Sequence, residues 1–199
     1  MGREIDDRRS KQMAMCKCGG VTEKKEIKNY LVPGALLGVE GVTLDTGVTD
    51  TICKKCGKGK IFIPDVPGLI TAVALTRVKL PFKLNSGEIK FVRKALDMTS
   101  KQMADLMKVT PETFSRWENE KMPMVEASER FFRLISIAML MDRAEAVDPE
   151  LQRVVKMEIK PAYEQAALGS MMHFVRVLMD RKVETEELWK DEQLKVANG

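Results

Sequence analysis

Four cysteines fall as two close pairs, Cys16-Lys17-Cys18-Gly19-Gly20 and Cys53-Lys54-Lys55-Cys56-Gly57. Thiolates are soft ligands, and two such pairs brought together by a sheet-forming segment gather four of them around one tetrahedral ion, as in a zinc ribbon. Glycine after the second cysteine of each pair lets the chain curl so that backbone amides point at sulfur. Four thiolates on Zn²⁺ leave about two negative charges, and Lys17, Lys54, Lys55, Lys58 and Lys60 stand close in sequence to offset them. The second pair has the usual C-x-x-C spacing, whereas the first, C-x-C, is a tighter bite. With all four cysteines used as ligands no position stays open for water, so the expected zinc is structural. Disulfides would want an oxidising compartment, and a thiol-redox pair at Cys53 and Cys56 would want a βαβ context that is not visible. Unliganded thiols are the third competing reading. His173 is the only histidine; with no acid or cysteine placed beside it, it reads as a packed or surface residue, and no enzyme activity is expected.

A second group of residues suits hydrogen bonding to nucleic acid. In Thr110-Pro111-Glu112-Thr113-Phe114-Ser115-Arg116-Trp117-Glu118-Asn119, Phe114 and Trp117 stand three apart. On a helix that spacing puts both on one face, and turning it inward pushes Glu112, Thr113, Ser115, Arg116 and Asn119 outward. A short helix with a polar outer face suits the major groove, and Arg116 offers the paired donors that guanine O6 and N7 accept. Ser100 and Lys101 stand where the preceding helix begins and can hold phosphate through free backbone amides and charge. Thr110 and Lys121, bounding the reading helix, complete the expected DNA-binding set.

These side chains need elements to position them. Asn85 caps a first helix with Glu88 closing a capping box, and Ile89, Val92 and Leu96, joined by Phe91 or Ala95, make its inner stripe. Thr99 caps a second helix with Gln102 in the same geometry, and Met103, Ala104, Leu106 and Met107 face inward. Thr110 caps the third, with Pro111 at the favoured first position and Val109 stapling onto Phe114. About three residues separate the second and third helices, and small Ala104 permits the close crossing of a helix-turn-helix. Upstream, the β-like runs Gly38-Val39-Glu40-Gly41-Val42-Thr43-Leu44 and Lys60-Ile61-Phe62-Ile63 lie in a segment with few large apolar residues, which a metal must help to hold. The fold class is therefore α+β. Residues 1–64 form a small β zinc-ribbon-like domain and residues 65–84 a connecting helix and linker. Residues 85–142 form an all-α helix-turn-helix DNA-binding domain, and residues 143–199 a C-terminal helical extension.

Met98-Thr99, Met103-Ala104-Asp105-Leu106-Met107 and Val109-Thr110-Pro111-Glu112-Thr113-Phe114-Ser115-Arg116-Trp117-Glu118-Asn119 together resemble the Xre/Cro-type helix-turn-helix. A cysteine-pair domain in front of it, joined by Ile63-Pro64-Asp65-Val66-Pro67-Gly68-Leu69, is similar in architecture to MqsA-type antitoxins and related zinc-finger regulators. The resemblance spans about residues 14–141. It implies an Xre-type domain that dimerises and represses its own operon at a palindromic operator in double-stranded DNA. It also implies a zinc domain that binds a ribonuclease toxin. Ser115 and Arg116 match the family's reading helix, and Arg116 matches its base-contacting arginine. The chain departs from the family at Ser100, where glutamine is frequent, and at Lys108 and Glu120, which replace turn glycines. It departs also at Glu112, where MqsA-type proteins can carry a base-reading asparagine, and in its C-x-C pair.

Charge is distributed unevenly. Residues 1–60 carry 12 Lys/Arg against 8 Asp/Glu, residues 61–121 carry 10 against 7, and residues 122–199 carry 11 against 14. The first two-thirds can thus face a polyanion, and the last third faces solvent or protein. Phe131, Phe132, Leu134, Ile135, Ala138, Met139 and Met141 make a helix apolar around much of its circumference, with one side for the helix-turn-helix and the other for a second subunit. Leu168, Met171, Met172, Phe174, Val175, Val177, Leu178 and Met179 form a further Met-rich stripe that reads as core. The N-terminus is charged where a signal peptide would be apolar, and no stretch is long enough to span a bilayer, so a cytoplasmic protein with no membrane partner is expected. The alternative to a DNA-binding regulator is an interaction module whose zinc domain and C-terminal helices bind a partner without DNA reading.

Overall fold

The computed structural model describes residues 15–166, 172–180 and 185–192. The N-terminal third contains β1 (Thr22–Ile27), β2 (Tyr30–Leu31), a single turn α1 (Gly34–Leu37), β3 (Val42–Leu44), β4 (Val48–Cys53) and β5 (Gly59–Phe62). Helices follow as α2 (Val66–Lys79), α3 (Ser86–Ala95), α4 (Ser100–Met107), α5 (Pro111–Glu118) and α6 (Glu126–Leu140), then the short α7 (Leu151–Lys156) and α8 (Ala162–Ala166). Strands β6 (Met172–Asp180) and β7 (Thr185–Asp191) complete the described chain. The class is mixed, as the α+β expectation has it.

Two sheets share the strands. An antiparallel sheet runs β1-β4-β5, pairing Thr22 with Cys53 and Thr49 with Phe62. The other runs β2-β3-β6-β7, with β3 parallel to β6 and β6 antiparallel to β7. The expected C-terminal helical extension is therefore corrected: beyond two short helices it ends in a hairpin. Met172 and Phe174 are buried on one side of β6 with half-buried His173 between them, the two-residue period of a strand. Val42, Thr43 and Leu44 of β3 offer backbone groups that only another strand can satisfy, and β6 does so. Of the Met-rich stripe, Leu168 and Met171 lie outside the described residues. The second sheet crosses the expected boundaries at 64 and 143, since strands from residues 30–44 pair with strands from residues 172–191.

Helix α2 is more than a connector. Leu69, Ala72, Val73, Ala74, Leu75 and Val78 are buried around its circumference, as they must be in a helix lying between a sheet and other helices. It packs on β6 and β7 on one side and on α3 and α6 on the other. Asp65 caps it through Gly68 N at 3.0 Å, and Pro67 sits in its first turn. Trp189 of β7 is buried and donates from Nε1 to the carbonyls of Pro64 and Asp65. Lys79, near the C-terminus of α2, is held by Asp191 at 2.8 Å and by the carbonyl of Asp148.

Two buried arginines fasten the segment between α2 and α3. Arg77 reaches both carboxylate oxygens of Glu88 and donates to the carbonyls of Phe82 and Lys83. Arg133 of α6 pairs with Glu129 at 2.7 Å and donates to the carbonyls of Val78, Leu80 and Phe82. The last carbonyls of a helix have no intrahelical partner, so these guanidiniums satisfy groups that burial would otherwise make costly. Burial lowers the Arg133 pKa, while Glu129 acts against that shift. The start of α3, and through it the bundle α3–α5, is thereby fixed on the body.

Candidate metal centre and nucleic-acid interface

The knuckles of the first sheet bring Cys16, Cys18, Cys53 and Cys56 together, with all four sulfurs within 4.8 Å of one another. Cys16 and Cys56 sulfurs are 3.7 Å apart and those of Cys18 and Cys53 3.5 Å. All four are free thiols. Each knuckle is closed by backbone hydrogen bonds: Gly19 N to Cys16 O and Cys16 N to Gly20 O in the first, Gly57 N to Cys53 O and Cys53 N to Lys58 O in the second. Gly19 and Gly57 hold φ of +74° and +69°, a left-handed turn that glycine adopts without strain. The tighter C-x-C pair thus still closes a knuckle.

The centre is electrostatically uneven. The amide of Cys56 is the largest influence on Cys53; burial opposes it, the amide of Lys55 reinforces it, and the thiol is lowered to about 6. At Cys18 a backbone hydrogen bond from Gly20 lowers the pKa, but hydrogen bonds with Cys56, Cys53 and Cys16 outweigh it and push it up to about 12. The closeness of the four sulfurs is what lets the cysteines coordinate a metal ion. Lys55 Nζ reaches the carbonyl of Cys18 at 3.3 Å and Lys54 pairs with Glu23.

The helix-turn-helix residues lie on α3, α4 and α5. Both capping boxes are present, Asn85 with Glu88 and Thr99 with Gln102. Thr110 caps α5 through Thr113 N, with Pro111 at its first position. The turn between α4 and α5 carries Lys108 at φ +57°. Met103, Ala104 and Met107 are buried, but Leu106 is 38% exposed. This corrects the inward placement of Leu106, which lies at the rim of the arc the other three fill. Phe114 and Trp117 are buried in an edge-on contact, centroids 5.8 Å apart, and Phe114 meets Phe132 of α6 at 6.2 Å.

With that face buried, Glu112, Ser115, Arg116 and Asn119 are exposed and Thr113 is half-buried. Arg116, Lys101 and Lys121 are exposed and form no ion pair among the described residues. Several expected contact residues are engaged within the chain. Thr110 and Thr113 hydroxyls lie 3.1 Å apart, and the Asn119 amide folds back on Ser115 O and Oγ. The Ser100 hydroxyl is buried without a hydrogen bond among the described residues, so only its backbone amide is left for a phosphate. Sequence reasoning missed the brace Arg93–Glu118 at 2.7 Å, which ties α3 to α5, the helix that carries Arg116. It also missed Asp45, which stands 3.1 Å from His173 Nδ1. No local signal announces either pair; each joins residues on different elements.

Comparison of the chain with protein-family models, curated proteins and solved structures finds no significant match. No helix among the described residues is long and apolar enough to cross a membrane.

Proposed function

We propose that this chain is a sequence-specific DNA-binding transcriptional regulator of the Xre type, acting as a dimer on a palindromic duplex. The observation that carries the reading is Arg116: exposed and unpaired among the described residues, on a short helix whose other face is locked by Phe114 and Trp117. A guanidinium on so rigid a base is pre-organised for the two acceptors of guanine. The dimer is supported by α6, where Phe131 is 46% and Met139 39% exposed beside half-buried Leu134 and Ile135, a strip that a two-fold related copy would cover. A cytoplasmic setting goes with this role.

The metal in this reading is zinc, held by Cys16, Cys18, Cys53 and Cys56. A tetrahedron with Zn–S of about 2.3 Å has edges of about 3.8 Å, close to the separations of 3.7 and 3.5 Å. A complete thiolate set leaves no open position, so the ion holds the ribbon together and supplies no reaction. The architecture also fits an antitoxin whose ribbon binds a ribonuclease toxin. The second reading, a protein-interaction module without DNA reading, is favoured by the exposed Leu31 and Leu36 next to the second sheet.

Replacing Arg116 with Ala separates the two. Selection from a random duplex library followed by anisotropy titration should show specific affinity reduced by about 1–3 kcal/mol and discrimination relaxed at one base pair per half-site. Equal affinity of wild type and variant for every duplex would end the DNA-reading proposal.

A further inference from the structure

The ribbon carries more positive charge than its metal needs. Residues 17–28 and 54–60 contain eight lysines against Glu23 and Glu26. A zinc tetrathiolate offsets only about two of the resulting charges. Lys54 and Lys55 are the ones engaged near the cysteines. Lys17, Lys24, Lys25, Lys28, Lys58 and Lys60 are all exposed and make no ion pair among the described residues.

Strand register arranges part of this charge. Lys24 pairs with Thr51 and Thr51 with Lys60, so the three side chains share one face. Two strand spacings put the lysines about 10 Å apart. Thr49 and the exposed Phe62 lie on that face too, with Glu26 its one acid. The opposite face carries Val48, buried, and Ile27, half-buried, against the body. Only that end of the opposite face meets the body, since Glu23, Lys25, Ile52 and Ile61 farther along it are exposed; on the lysine face Lys24, Glu26, Lys60 and Phe62 are exposed. A row of like charges with hydroxyls between them, answered on its own face by Glu26 alone, is complementary to a polyanion.

We propose that this face is a second DNA contact, in which Lys24, Lys60 and the adjacent knuckle Lys58 engage the phosphate backbone of duplex DNA independently of base reading. The inference extends the DNA-binding reading without depending on Arg116. Duplex is favoured because its charge density, one per about 1.7 Å of axis, rewards a spread row of cations. Single-strand surfaces use several stacking aromatics, and this face has only Phe62.

The test uses the full metal-loaded chain and the triple variant K24Q/K58Q/K60Q. Affinity for a fluorescent random-sequence duplex is measured over a salt series, with zinc content determined in parallel. The expected result is a shallower dependence of log K on log salt, by about 0.9 for each phosphate no longer neutralised, with zinc stoichiometry and base discrimination unchanged. An unchanged slope overturns the proposal. So does a variant that loses zinc, which would make the lysines partners of the thiolates, or a change confined to a single-stranded probe. If wild type binds duplex without base discrimination yet the slope still falls, the ribbon contact stands and the sequence-reading function does not. If wild type binds no duplex at all, both fall.

Discussion

The cysteine ribbon and the helical body solve the same problem by different means. In the ribbon, every residue of β5 and four of the six in β1 are exposed, and the buried side chains of β4 are Val48, next to the body, and Cys53, at the metal centre. In the body, ten of the fourteen residues of α2 are buried, and its charged groups are paired inside. Ordering a residue costs about 1–2 kcal/mol of backbone entropy, which packing of apolar surface offsets in the body. The ribbon buries too little for that, and its four thiols, held within 4.8 Å, can supply the difference by coordinating a metal. On this reading stability is local: the body that carries α5 has a packed core of its own, and the ribbon has the proposed ion instead.

The largest expected effect follows directly. Chelation, or Cys53→Ser, should unfold the ribbon outright, because the proposed structural zinc would contribute an apparent 10–16 kcal/mol or thereabouts, roughly the whole of such a domain's folding energy. Amide exchange should lose protection through β1, β4 and β5 while α2–α6 keep theirs. Loss of helical circular dichroism on chelation would break the division between the two regions.

An effect of about 3–5 kcal/mol is expected in the body from Arg133→Ala, which leaves Glu129 buried without its cation and takes the guanidinium from the carbonyls of Val78 and Leu80, while Phe82 keeps its bond from Arg77. Replacing both partners, Arg133→Met with Glu129→Leu, should cost less, because no lone charge remains. Urea unfolding of single and double variants measures the difference. A double variant worse than Arg133→Ala would show that Glu129 holds the segment through its bond from Leu84 N, more than through the ion pair.

What was legible in the sequence was local. The capping boxes at Asn85 and Thr99 join residues three apart, so their types alone disclose them. The cysteine pairs announce their centre by spacing, and the inward turn of Phe114 and Trp117 follows from helical period. What was not legible depends on distant chain. The pairing of β3 with β6 joins segments about 130 residues apart, as does the hydrogen bond between His173 and Asp45. In Met172-His173-Phe174-Val175-Arg176-Val177 the near-continuous apolar run fits a strand or a buried helix equally well. The clamps made by Arg77 and Arg133 were not legible either, because much of what they hold is backbone carbonyl, which carries no sequence signature.

The smallest effect tests the turns that bound α5. Lys108 holds φ +57° between α4 and α5, and Glu120 holds +59° just after α5. Both are left-handed positions where a side chain costs about 1 kcal/mol that glycine avoids. Glycine also loses more entropy on folding, so the gain from Lys108→Gly should be about 0.5 kcal/mol in stability. Thermal unfolding of the metal-loaded chain should rise by a degree or two, roughly as a half-kilocalorie shift implies for a domain of this size. Chelated protein should show the same rise, since the turn belongs to the body and the ion to the ribbon. A rise seen only with metal present would mean that the two regions share a cooperative unit, because strain at that turn could then be felt only through the ribbon.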